Sequence, residues 1–246
     1  MNQNDDAMAF ESDNFILDGA KKISRAENIA GVIRDGIERG YWKPDDRIND
    51  QELSERLGVS RLTVREALSR LVERRILEKK HWKGYTVRKL SWEDIENIID
   101  VRLSLEELAL KNGMAKNPGT LIQELTAAIG TCRKLLADGD YQSFFTADYL
   151  FHEVLYRQSG NPWIEDILSD LHLVINLIRH ISQADRVQEV AEISIRDHES
   201  ILQAVRDGQG NVAASRLREH LNNHRERVRR EYAAQESDPK QGPAAS

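Results

Sequence analysis

A chain of 246 residues, 40% apolar and 31% charged, buries a core of ordinary size and, at roughly 150 residues per domain, holds one or two domains. No run approaches the ~18 apolar residues that cross a bilayer. The opening MNQNDDAMAFESDNF also lacks the basic segment and apolar stretch of a secretory leader, so a cytoplasmic location without a membrane partner is expected.

The net charge of −6 is unevenly spread. Residues 1–20 hold five acids and no base, residues 21–89 hold 18 Lys/Arg and 11 Asp/Glu, and residues 90–246 hold 17 and 25. A basic module followed by an acidic one fits a protein whose first part meets phosphates and whose second does not.

Residues 1–20 have too few apolar side chains to offset the entropy of ordering, and a disordered tail is expected. From Ile23, Ile29, Ala30, Ile33 and Ile37 recur at helical spacing, and the helix stops near Gly40 before the turn Lys43, Pro44, Asp45, Asp46. Asn49 and Glu52 are spaced as a capping box, with Leu53 and Leu57 on one face before Gly58 ends a short second helix. Ser60 caps a third helix with the apolar face Val64, Ala67, Leu68 and Leu71, while Arg61, Thr63, Arg65 and Arg70 lie largely elsewhere. Residues 76–79 and 85–88 read as two short strands around a turn carrying His81, Trp82, Lys83 and Gly84.

Beyond Leu90 the pattern is helical, with segments near 91–113, 118–137, 140–158, 162–181, 186–207 and 210–234, separated by Gly, Pro, Asn and Asp turns. Cys132, the only cysteine, excludes an intramolecular disulfide and sits among Ile129, Leu135 and Leu136 as a core residue. The fold expected is mainly α. A winged helix-turn-helix over residues 21–89, three helices plus a β-hairpin wing, precedes an all-helical antiparallel bundle of about six helices over 90–234, with a disordered tail at 235–246.

In a winged helix-turn-helix the later helix of the pair enters the major groove with its N-terminal residues facing bases. Those residues are Ser60, Arg61, Leu62, Thr63 and Arg65. A guanidinium pairs two donors with the acceptors of guanine, so Arg61 and Arg65 are the leading base readers. Lys83 and Gly84 fit a wing tip on phosphate or the minor groove.

The stretch IRDGIERGYWKPDDRINDQELSERLGVSRLTVREALSRLVERRILE, ending in KGYTV, resembles the DNA-binding domain of the GntR family of bacterial transcription regulators. The resemblance implies that Arg47, Gln51, Ser60, Arg61, Thr63 and Arg65 contact double-stranded operator DNA, with Lys83 and Gly84 in the wing. Three positions depart from the family pattern: Asp45 and Arg75, where glycine is usual, and Leu62, where a small polar residue is common.

In the second half, Asp148 and His152 are four residues apart, about 40° around a helix and ~6 Å along it, so both can reach one ion. His198 and His220 lie inside the last two helices beside Ile201, Leu202 and Leu221. Three imidazoles and a carboxylate suit zinc first, and also nickel, iron or manganese. His224 is the rival of His220 as a ligand; His81, His172 and His180 taken singly read as core or surface residues.

Asp148, His152, His198 and His220 in this order resemble the metal-binding form of the FCD ligand-binding domain, found in the FadR subfamily. Arg102 falls on the apolar stripe Ile95, Ile98, Ile99 and Ala109. It reads either as half of an internal pair with Glu106 or, as the FCD resemblance of VRLSLEELAL implies, as an effector-binding residue for a carboxylate. His172, Asn176 and His180 form a polar stripe that lines the pocket or edges the surface.

Together these readings predict a homodimeric regulator, a repressor by family habit, controlled by a small organic acid beside a divalent metal. Two alternatives compete: a regulator of the metal ion itself, and a metal-dependent enzyme with an accessory DNA module. The chain lacks H-E-x-x-H, G-x-S-x-G and a phosphate loop, so no catalytic residue is assigned and no enzyme is expected.

Overall fold

The computed structural model describes residues 24–81, 84–179 and 186–236; the expected N-terminal tail, the chain beyond 236, the wing residue Lys83 and His180 lie outside them. Helix α1 (Arg25–Glu38) begins where Ser24 Oγ accepts the Glu27 N–H at 3.1 Å, and it buries Ala26, Ile29, Ala30, Ile33 and Ile37. A two-residue strand, β1 (Arg47–Ile48), leads into α2 (Asp50–Leu57) and α3 (Arg61–Glu73). Only half of the expected capping box on α2 forms. Asn49 Oδ1 accepts from the N–H groups of Gln51 and Glu52 at 3.0 and 3.4 Å, but the Glu52 carboxylate pairs with Arg56 at 2.7 Å.

Strands β2 (Leu77–Lys80) and β3 (Gly84–Val87) form the hairpin, with Leu77 opposite Val87. The sequence pattern misses β1, which adds to the free edge of β3 with Arg47 opposite Thr86, giving an antiparallel sheet of order β1-β3-β2. Two residues carry no readable alternation. Asp45 and Arg75, the two positions that depart from glycine, keep left-handed backbones at φ 70° and 59°. The turn geometry therefore survives the loss of glycine, at a steric cost carried by each Cβ.

Among the described residues six further helices follow: α4 (Trp92–Lys116), α5 (Pro118–Ala137), α6 (Tyr141–Gln158), α7 (Pro162–Arg179), α8 (Val187–Arg206) and α9 (Gly210–Glu236). Ser91 and Asp94 close a reciprocal capping box at the start of α4. Helix α5 packs on α6 and α8, α9 on α4 and α8, and α6 also meets α4 and α7. Their core includes Leu110, Leu125, Phe144, Phe151, Leu155, Ile201 and Leu217. Cys132 is buried in it, and burial pushes its thiol up to about 12, away from reactivity.

Packing does not break where the sequence changes character. Ile95 and Ile99 of α4, Val174 and Leu177 of α7 and Val228 of α9 belong to the same apolar cluster as Ile33 of α1 and Leu68 of α3. Arg74, the C-cap of α3, binds Glu27 at 3.1 Å and reaches Asp170 of α7 at 3.9 Å. Among the described residues no helix is long and apolar enough to cross a membrane.

Candidate metal centre and nucleic-acid interface

Four helices converge on one buried polar site, each through residues four apart and so on one face. Arg102 and Glu106 come from α4, Asp148, His152 and Tyr156 from α6, Ser194 and His198 from α8, and His220 and His224 from α9. His152, His198 and His220 are buried, and each offers a ring nitrogen within 4.8 Å of the others. Phe151 stacks on His198 at 3.8 Å between ring centroids and 6° between planes, which fixes that imidazole.

Glu106 is fully buried and holds three partners. Its Oε1 accepts from Arg102 Nε at 2.6 Å and from the Tyr156 hydroxyl at 2.7 Å, and its Oε2 lies 2.8 Å from His152 Nδ1. Burial alone would raise this carboxyl, but the Arg102 guanidinium and His152 hold it far below the usual carboxylate range. It is therefore an acceptor, the proton of His152 sits on Nδ1, and the Nε2 lone pair is free. Asp197 Oδ2 lies 3.1 Å from His220 Nδ1 and orients that ring in the same way. Burial lowers His152 to about 4 and holds His198 well below the usual imidazole range, so both are neutral imidazoles.

His198 differs from the other two. Both of its ring nitrogens are buried, and neither has a hydrogen-bond partner among the described residues. A fully desolvated imidazole with two orphan nitrogens is costly unless something else binds it. Asp148 comes nearest, its Oδ1 3.6 Å from His198 Nδ1, while the same oxygen accepts from Ser194 Oγ at 2.5 Å.

A cavity of about 60 Å³ opens beside the histidines, lined by Arg102, Asp148, His152, Ser194, His220, His224 and Arg227 among others. Arg227 is largely desolvated, which lowers its pKa; its buried Nε has no partner and its Nη2 lies 3.2 Å from His224 Nδ1. The sequence reading missed Arg227, although its position seven residues after His220 puts it on the same helical face. Tyr156, Ser194 and Asp197 were missed too, the first two being four residues from an assigned histidine.

Asp148, His152, His198 and His220 are thus brought together, and His220 rather than His224 stands in the imidazole cluster. Arg102 lines the cavity while giving its Nε to Glu106, so the internal pair exists. His172 stacks on Tyr149, centroids 3.1 Å apart, and lines a groove of about 1000 Å³ with Asp35, Arg39 and Tyr141. Tyr149 lines the small cavity and Phe145 lines both, so His172 stands one ring away from the small cavity; the side chain of Asn176 lies outside what is described.

In the first module, Arg47, Gln51, Ser60, Arg61 and Arg65 are exposed and Thr63 half-buried. Ser60 caps α3, accepting the Thr63 N–H at 3.1 Å. Asp50, at the start of α2, receives Arg61 Nη2 at 3.1 and 3.2 Å and lies 3.9 Å from Arg65 Nε. Gly84, at φ 75°, opens β3 beside Arg47. Three of the named arginines thus belong to the front formed by the starts of α2 and α3 and by the sheet.

Residues 25–87 match the model of bacterial regulatory proteins, gntR family, and residues 97–223 match that of the FCD domain, more than half of the chain by itself. The chain is similar to the HTH-type transcriptional repressor RspR of Escherichia coli, 24% identical over 82% of this chain and 88% of that one. It is 27% identical to the gluconate operon transcriptional repressor of Bacillus subtilis, over 78% of this chain and 81% of that one. A crystal structure of a GntR regulator from Rhodococcus sp. RHA1 has the same fold, with a TM-score of 0.74 at 24% identity over 83% of this chain and 97% of that one. These relatives are regulators of transcription and not enzymes. A winged helix-turn-helix joined to a helical bundle, matched in both halves, makes this chain a member of the gntR family of bacterial transcription regulators that carry an FCD domain.

Proposed function

We propose that the chain is a repressor of the FadR subfamily whose hold on operator DNA is set by a small organic acid bound beside a divalent metal. The metal would be held by Asp148, His152, His198 and His220, with zinc first, then nickel, iron or manganese. The observation that carries this reading is the pair of orphan nitrogens on buried His198, one of three buried imidazoles whose nitrogens lie within 4.8 Å. A bound ion would supply a Lewis-acid anchor for a carboxylate. The chain's own residues orient the rings through Glu106 and Asp197, and present Arg227 and Arg102 to an anion.

The cavity, about 60 Å³ or roughly two water volumes, has room for the carboxylate end of a small acid. Linkage to DNA would run through α7, which places Ile175 at the cavity and Val174 and Leu177 in the cluster shared with α1 and α3. On the DNA side, Arg61 and Arg65 read bases, and Arg47, Gln51, Ser60, Thr63 and the wing residues Lys83 and Gly84 hold the duplex. The working unit is a homodimer reading two half-sites. Val101 and Leu108 on α4 and Ile167 on α7, helices that pack together, leave apolar surface in solvent for a second copy.

The test is metal per chain by mass spectrometry on untagged protein purified without chelator, beside His198→Ala. One equivalent, lost in the variant, is expected. No metal in wild type after reloading with zinc, nickel and manganese would end the metal reading while leaving the DNA-binding one standing.

A further inference from the structure

Helix α3 turns 100° per residue, and its buried side chains Val64, Ala67, Leu68 and Leu71 define the side that faces the core. On that wheel Leu62 points about 170° away from their mean direction. It is 78% exposed, more than any other large apolar side chain among the described residues. A lone exposed leucine is ordinary on a protein surface. The placement of this one is what matters: it stands in the first turn of α3 between Arg61 and Arg65, both drawn toward Asp50 of α2. The outermost point of the basic front is therefore apolar.

The major-groove edges of the four base pairs present donors, acceptors and one apolar group, the 5-methyl of thymine. An uncovered leucine on the outward side of α3 has no hydrogen bond to give, so its selectivity can only be for that methyl. We propose that Leu62 is a specificity-determining residue that packs on a thymine methyl in each operator half-site, next to the bases read by Arg61 and Arg65. This rests on the operator-reading role of α3 proposed above. Asp50, by holding both guanidinium groups to one side, keeps the leucine uncovered.

The experiment uses the full-length protein. Duplexes are selected from a random pool with wild type and with Leu62→Ala, a change that favours the helix and empties no core. Each thymine of the wild-type duplex is then replaced by deoxyuridine, which lacks only the 5-methyl, and affinity is read by fluorescence anisotropy at constant salt. One position per half-site should weaken about four-fold in wild type, the worth of one buried methyl. Leu62→Ala should be indifferent at that position, keep its preference at the others, and show the same salt slope, since no charge moves.

Equal deoxyuridine penalties in both proteins, or selection of the same thymine by Leu62→Ala, would overturn the assignment and leave operator reading by α3 intact. A pool from which wild type enriches no sequence would overturn both.

Discussion

Glu106 Oε1 and Arg102 Nε lie 2.6 Å apart, one helical turn from each other, and the other oxygen of the same carboxylate touches His152 Nδ1 at 2.8 Å. A single buried anion thus neutralises a buried cation and sets the tautomer of an imidazole 46 residues away in sequence. Stability and ligand geometry are joined at one side chain, and they can be separated by mutation.

Glu106→Gln should leave Arg102 buried without a counter-charge and destabilise the protein by about 3 kcal/mol. It should also weaken metal binding by roughly ten-fold or more, because the orientation of His152 loses its charged acceptor. Urea unfolding and competition with a chromophoric chelator read the two effects. The double variant Arg102→Met, Glu106→Leu should recover part of the stability, because the Tyr156 hydroxyl and His152 Nδ1 still lose their acceptor, but not metal affinity; recovery of metal affinity would show that Glu106 does not orient the ligand.

The metal-free protein should lose stability in mild acid. His152 in the folded state is lowered to about 4 and His198 is held well below its ordinary value, whereas the unfolded chain protonates its histidines near pH 6.5. Their contribution is therefore complete above that value and is lost as pH falls toward 4, because the unfolded state takes up protons first. His198→Phe keeps a ring against Phe151 without a titrating group, so thermal unfolding from pH 7 to pH 5 should show a shallower slope. An unchanged slope would place the acid sensitivity elsewhere.

Arg227→Met tests the anion subsite. Removing a desolvated cation whose Nε is unpaired should leave the melting temperature of the ligand-free protein unchanged or higher. Stabilisation by short carboxylates, scanned with acetate, lactate and malate, should disappear. A lower melting temperature with carboxylate stabilisation retained would make Arg227 a structural residue.

Arg75→Gly should stabilise the DNA-binding half by up to about 1 kcal/mol, since φ 59° places its Cβ in the left-handed region. Asp45→Gly should gain less, because Asp45 also binds Lys80 at 2.9 Å and aspartate tolerates that conformation. Denaturant midpoints at constant m decide this; a loss in Arg75→Gly would mean that the arginine side chain contributes more than its backbone costs.

Much of the architecture was legible from local pattern. The apolar spacing from Ile29 to Ile37, the caps Asn49 and Ser60, and the Gly and Pro breaks between the later helices depend on neighbours within a turn or two. The helices lie within a few residues of where that pattern puts them. The spacing of Asp148 and His152 and the inward faces of His198 and His220 were readable for the same reason. Strand β1 was not, because two residues become a strand only when β3 supplies hydrogen bonds.

Periodicity and charge are properties of a short stretch of chain, and they set the two-part organisation, the helix order, the basic first module and the inward faces of His198 and His220. Packing between helices settled that Glu106 orients His152, that Asp50 gathers Arg61 and Arg65, that His172 stacks on Tyr149, and that Arg227 stands beside the histidines with its Nε unpaired. Each of these depends on distance and desolvation between separate helices, and a side chain's partner across the core is set by how the helices pack and not by its place along them.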